Sequence, residues 1–138
     1  MQDKSFGVVP LRKDQMLLVQ HAALHWGFPK GHAEPFETPK ETAERELFEE
    51  THLTIERFCL CDPIEEAYSF ERAGVLIEKK VLYFPAWVHG ELCLAEGEIV
   101  QAAWCDGKEA LSLATFPEMQ RVVSFVIFLQ NRGDFNRS

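Results

Sequence analysis

The sequence predicts an α/β chain, a mixed sheet with helices packed on it. Three observations carry that expectation. Apolar runs of strand length recur at Phe6–Leu11, Met16–Gln20 and Val75–Val88. A well-marked helix start stands at Thr38-Pro39-Lys40-Glu41. An apolar stripe at helical spacing, Met119, Val122, Val123, Val126, Ile127 and Leu129, closes the chain.

In chain order, Phe6 to Leu11 and Met16 to Gln20 read as two strands joined by a turn at Lys13-Asp14-Gln15. His21 to Trp26 is a short connection. Gly27 to His32 is a loop, stiff at Pro29 and permissive at its glycines. Thr38 is the expected N-cap of the next helix, Pro39 its first residue, and Glu41 the second half of a capping box. Ala43 and Leu47 give that helix an apolar flank, and it should end near Thr51 or His52.

Phe58 to Cys61 reads as a short strand. Ala67 to Phe70 and Val75 to Val88 flank a turn at Arg72-Ala73-Gly74. In the second, Val81, Tyr83, Pro85 and Trp87 share one face, and Pro85 suggests a sheet edge or a bulge. Ile99 to Trp104 adds a strand, Lys108 to Leu113 a short helix, and Pro117 to Gln130 the closing helix. The tail from Asn131 is expected to fray.

Length and composition narrow the function classes. The chain has 138 residues, 46% of them hydrophobic, with eleven Phe and three Trp. That suits one domain over 1–138 with an ample core. The net charge of −8 argues against a nucleic-acid or membrane-surface binder, so stable nucleic-acid binding is not expected. No run of about 18 apolar residues and no signal-peptide stretch is present, which points to a cytoplasmic protein. Cys59-Leu60-Cys61 would set two thiols on one strand face, but nothing completes a metal site. Cys59, Cys61, Cys93 and Cys105 read as reduced, semi-buried thiols.

Chemistry concentrates between residues 31 and 53. Glu46, Glu49 and Glu50 fall at i, i+3 and i+4, inside an arc of roughly 100° on one helix face. Three crowded carboxylates repel one another, and hard oxygen donors suit Mg²⁺ or Mn²⁺. A solvated helix face, with Arg45 paired to Glu41 and Glu49, would account for Glu41 and Glu44. It leaves Gly31 and Glu37 at their spacing unexplained.

The pattern Gly31-x5-Glu37-x7-Arg45-Glu46-Leu47-x-Glu49-Glu50 resembles the signature of the Nudix hydrolases at every specified position. The resemblance runs from about Phe6 to the last helix. It implies an α/β/α sandwich that cleaves a nucleoside diphosphate linked to another group, using water and two or three Mg²⁺. It further implies Glu46, Glu49, Glu50 and the Gly31 carbonyl as metal ligands, with Arg45 and Glu37 orienting them. One departure stands out: the family usually has Gly where His52 stands, as a left-handed helix cap.

Within that family, Trp26-Gly27-Phe28-Pro29-Lys30-Gly31-His32-Ala33-Glu34 is similar to a stretch of the asymmetrical diadenosine tetraphosphate hydrolases. RNA pyrophosphohydrolases tend to carry Gln and Gly at the places of Lys30 and His32. Lys79-Lys80-Val81-Leu82-Tyr83 is similar to the same subfamily. This likeness implies Lys30, His32 and Lys79 as phosphate contacts and Tyr83 in the nucleoside pocket, where an aromatic face stacks for about 1–3 kcal/mol. It also implies Glu98, six residues before Trp104, as a candidate general base beside Glu49. The implied substrate is a small dinucleoside polyphosphate, best diadenosine tetraphosphate cleaved to ATP and AMP. The alternatives are an RNA 5′-pyrophosphohydrolase, another nucleoside-diphosphate hydrolase, or a regulatory nucleotide-binding domain. His21, His25 and His89 read as ordinary residues, and oligomeric state is not legible.

Overall fold

A computed structural model describes residues 1–136. The strands are β1 (Gln2–Arg12), β2 (Gln15–His21), β3 (Trp26–Gly27), β4 (Lys30–Gly31), β5 (Thr54–Phe58), β6 (Ile64–Arg72), β7 (Val75–His89) and β8 (Ile99–Cys105). Helix α1 (Pro39–Thr51) lies between β4 and β5; α2 (Gly107–Leu113), α3 (Pro117–Arg132) and a 3-10 turn (Asp134–Asn136) follow β8.

All eight strands join one mixed sheet, ordered β3-β2-β1-β7-β5, with β8 on β2, β6 on β7 and β4 on β1. β1 and β7 pair in parallel from Gln2 opposite Glu78 to Leu11 opposite Trp87. The other pairings are antiparallel. Alternation along the central strands feeds two cores. Val8, Leu17, Val19, Phe84, Ala86 and Val88 pack with Ala43 and Leu47 of α1. Val9, Leu11, Met16, Leu18, Val81 and Tyr83 pack with Met119, Val122, Val123 and Val126 of α3. The sheet is thus covered on both faces, which is why β1, β2 and β7 read as nearly continuous apolar runs. No helix among the described residues is long and apolar enough to cross a membrane.

Four local expectations are corrected. The strand read at Phe58–Cys61 begins earlier, at Thr54, and Cys59 to Asp62 is bent and irregular, so the two thiols do not share a strand face. All four cysteines are free, with Cys93 exposed. Pro85 marks neither an edge nor a bulge of β7, which is a central strand. The register with β6 ends at Tyr83 and that with β5 begins at Phe58–Ala86, so Pro85 falls where no strand needs its missing N–H. Its carbonyl accepts from the Cys59 N–H at 2.9 Å. The tail does not fray through Asn136. Phe135 is buried in the α3-side core, and its carbonyl accepts the Trp87 indole N–H at 2.9 Å. Arg137 and Ser138, also covered by that expectation, lie outside the described residues.

Candidate active site

The acidic helix is fixed at both ends. At its start the Thr38 hydroxyl accepts from the Glu41 N–H at 3.2 Å, and the Glu41 carboxylate accepts from the Thr38 N–H at 2.9 Å. At its end His52 takes the left-handed conformation, φ 65°, that glycine would adopt more easily. Its N–H reaches the Phe48 carbonyl at 2.8 Å and its ring stacks on Phe48 at 4.7 Å. Thr42, Ala43, Leu47, Glu50 and Thr51 are buried beneath the helix. Glu49 is exposed, with its carboxylate turned to Arg45.

β4 brings the loop to this helix. Phe6 pairs with Gly31 and Gly7 with Lys30. A Cβ on Gly7 would strike the Pro29 carbonyl oxygen, and one on Gly31 would strike the Glu46 carboxylate. Gly7 lets β1 lie close to the loop backbone, and Gly31 leaves room for the Glu46 carboxylate.

Arg45 organises the carboxylates. Its Nε donates to Glu37 Oε2 at 2.7 Å and its Nη2 to Glu37 Oε1 at 3.0 Å. Nη1 donates to Glu46 Oε1 at 2.9 Å and to both Glu49 oxygens at 3.1 and 3.2 Å. Nη2 also reaches the His32 carbonyl at 2.9 Å, tying the loop to the helix. The Arg45 hydrogen bonds, then that from the Glu34 N–H, pull the Glu37 carboxyl down to about 2.

Glu50 has the opposite environment. It is 5% exposed, its Oε1 has no hydrogen-bond partner, and burial followed by the Glu46 charge pushes its carboxyl up to about 8. Burial also raises Glu46 against the pull of Arg45, with Glu49 and Glu98 adding to the rise. Glu98 is exposed and lines the same open cleft of about 570 Å³ as Gly31, His32, Arg45, Glu46 and Glu50.

The unpartnered Glu50 oxygen, with Glu46 packed on Gly31, fits a hard divalent cation in donor type and in electrostatic need. No three carboxylate, imidazole or thiolate side chains stand at ligating distance among the described residues. The reason is visible: Arg45 holds Glu46 and Glu49, so ligation by Glu49 requires it to leave Arg45.

The expected phosphate contacts divide. Lys30 is half-buried, and burial followed by Lys79 lowers its ammonium. Lys79 is only 6% exposed and is already engaged. It donates to Ser5 Oγ at 2.6 Å and to Asp3 Oδ2 at 3.1 Å, with His32 Nε2 at 3.3 Å. His32 Nε2 in turn lies 2.8 Å from Asp3 Oδ1. Burial acts upward on Asp3, but Lys79 and His32 outweigh it and leave the carboxyl below its ordinary value.

Tyr83 requires a correction. It lines a cavity of about 360 Å³ beside the cleft, yet it is 0% exposed, so its ring is core. Its edge meets Phe28 with centroids 5.6 Å apart, and its hydroxyl donates to Glu66 Oε1 at 3.0 Å. It sits on the central strand with core on its face of the sheet, which leaves no ring surface for stacking. Half-buried Trp26 and Tyr68 and exposed Phe116 line the same cavity.

Three residues escape a reading of the sequence. Asp3 meets Lys79 only through the parallel β1–β7 register. Glu66 is buried in the aromatic cavity. His21 lines both cavity and cleft, stacks on His25 at 4.8 Å, and has a buried Nε2 without a partner. Burial, then His25, lowers His21 to about 4, so the ring is neutral near pH 7. The period-two alternation of residues 64–68 was the one signal that could have flagged Glu66.

Comparison with known proteins places this geometry. The NUDIX domain profile matches residues 1–125. The asymmetrical bis(5′-nucleosyl)-tetraphosphatase of Caenorhabditis elegans is 31% identical over 124 residues, 84% of this chain and 88% of that protein. A crystal structure of a C. elegans Ap4A hydrolase binary complex superposes with a TM-score of 0.70 at 28% identity, covering 93% of this chain and 98% of the other. A MutT protein from Bacillus halodurans gives a TM-score of 0.71 at 25% identity, covering 90% and 81%. Members of this family generally use divalent metals, and its fold is the mixed α/β architecture seen here. With the family profile over most of its length and the Gly31–Glu50 signature gathered from β4, the following loop and α1, this chain belongs to the Nudix hydrolase family.

Proposed function

We propose that this chain hydrolyses dinucleoside polyphosphates in a Mg²⁺-dependent reaction, with diadenosine tetraphosphate giving ATP and AMP. The observation that carries the reading is the seam at residues 30–32. There Lys30 opens toward the aromatic cavity while Gly31 and His32 line the acidic cleft. A nucleoside in the cavity would thus run its phosphates along Lys30 and His32 toward Glu46 and Glu50. The likeness to the C. elegans asymmetrical tetraphosphatase, across most of both chains, supports the same substrate class.

Glu46, Glu49, Glu50 and the Gly31 carbonyl would hold the metal, Mg²⁺ or in its place Mn²⁺. Bound there, a divalent cation lowers the pKa of water and offsets phosphate charge. Arg45, locked to Glu37, keeps the carboxylates oriented. Of the two candidate bases, Glu98 faces the cleft, whereas Glu49 is 51% exposed and turned to Arg45, so Glu98 is the better placed to take a proton. Lys30 and His32 meet the phosphates directly. Lys79 acts from behind, as a buried charge fixed by Asp3 and Ser5.

The test is a substrate panel with product identification. Dinucleoside tetraphosphates should be cleaved faster than ADP-ribose and faster than triphosphorylated RNA. A tenfold preference for either of those would move the chain to another activity within the family.

A further inference from the structure

The aromatic cavity holds two carboxylates that the chemistry of phosphate hydrolysis does not use. Glu66 and Glu118 both line it, among Trp26, Phe28, Tyr68, Phe116 and Met119. A negative group is a poor lining for a pocket that receives a polyphosphate, unless it faces a part of the substrate that donates hydrogen bonds. Glu66 is buried, yet only one of its oxygens is used, by the Tyr83 hydroxyl. Burial raises its carboxyl and Glu118 adds to the rise, while the Tyr83 hydrogen bond, Lys30 and Lys79 favour the ionised form. When ionised, a carboxylate offers about four acceptor sites and no donor. Glu118 is half-buried at the start of α3 and adds a second negative charge near Glu66.

Nucleobases differ in how they meet such a wall. Guanine presents two adjacent donors, N1–H and the N2 amino group, which a carboxylate accepts as a pair. Adenine presents one amino donor beside the N1 acceptor, whose lone pair would face the carboxylate oxygen. A site built around hydrogen bonds to a ligand rejects the analogue that cannot make them. We infer that Glu66, reinforced by Glu118, is a specificity-determining residue that selects a base with adjacent N–H donors, guanine over adenine. The inference rests on the reading that the substrate's nucleoside occupies this cavity, and within the same substrate class it makes the diadenosine compound a slower substrate than the diguanosine one.

The test pairs binding with turnover. Affinities for GMP and AMP are measured by calorimetry on the wild-type chain and on Glu66→Gln, alongside kcat/KM for the diguanosine, diinosine and diadenosine tetraphosphates. The Gln side chain still accepts from Tyr83 but offers one donor and one acceptor, the complement of adenine. The wild-type chain should favour guanine by about tenfold or more, with inosine, which lacks the N2 amino group, between the two. Glu66→Gln should bring the guanine-to-adenine ratio to one or below. Equal affinity for GMP and AMP in the wild type, or an equal loss for both bases in the variant, would overturn the inference and leave Glu66 as a support for Tyr83. If GMP binds better than AMP in a Glu66-dependent way but no tetraphosphate is cleaved, the base selection stands and the assigned substrate class falls.

Discussion

Arg45 grips Glu37 with two hydrogen bonds, of 2.7 and 3.0 Å, and with its remaining N–H groups spans Glu46, Glu49 and the His32 carbonyl. One side chain therefore sets the positions of the loop and of two carboxylates on the helix. Lysine carries the charge but cannot reproduce the planar fork. Arg45→Lys should lower metal affinity or turnover by about 10–100-fold, the usual cost of losing a group that orients metal ligands. Mg²⁺ titration of activity, with a melting curve on the same protein, checks this. Unchanged turnover at every Mg²⁺ concentration would remove Arg45 from the site.

Glu50 gives the metal-free protein a pH dependence of known sign. Its folded value, about 8, lies above the ordinary 4.5 because burial disfavours the charged form. The folded state thus holds a proton that the unfolded chain releases. Its contribution is fully present below about 4.5 and is lost as pH rises from there to about 8. Glu37 has the opposite sign: its value of about 2 gives stability above 4.5 that is lost as pH falls. In chelator, Glu50→Gln should melt at or above the wild type at pH 8 and flatten the decline from pH 6 to 8. It should also cut Mg²⁺-dependent turnover by orders of magnitude. A variant that melts lower than the wild type at pH 8 would refute this account of Glu50.

Tyr83 lies in the core, so its truncation should act on stability. Tyr83→Ala should cost about 3–5 kcal/mol, as large aromatic deletions in cores do. Tyr83→Phe keeps the ring packing and loses one hydrogen bond, for about 1 kcal/mol. Denaturant melts of both variants decide the matter. An Ala variant of normal stability with a raised KM would restore the stacking role.

The alternation of the strands and the caps of α1 were legible because each is a local pattern. Thr38, Pro39 and Glu41 specify their own geometry within four residues, and His52 tolerates the left-handed cap that glycine would otherwise fill. The acidic face was legible for the same reason, since Glu46, Glu49 and Glu50 need only a helix to converge. What the sequence hid depends on contacts between distant segments. Lys79 becomes buried only because a parallel register sets Asp3 and Ser5 against it. Tyr83 loses its exposed face because β7 is central, and Pro85 misleads because it sits where β7 exchanges β6 for β5. The tail is held by Trp87, nearly fifty residues upstream, through a hydrogen bond no local pattern announces.

That last contact is itself testable. Phe135 is 3% exposed and docks the chain after α3 onto the sheet. Phe135→Ala should lower stability by about 3–5 kcal/mol and leave KM for the folded enzyme unchanged, because the site lies elsewhere. A melting curve identical to the wild type would show the tail to be loosely held.

The most direct measurement is the product pattern from diadenosine tetraphosphate in the presence of Mg²⁺, resolved by chromatography, for the wild type and Glu50→Gln. The account predicts ATP and AMP in equal amounts, absent in chelator and nearly absent in the variant. Two molecules of ADP, or no cleavage while ADP-ribose or triphosphorylated RNA is turned over, would contradict it.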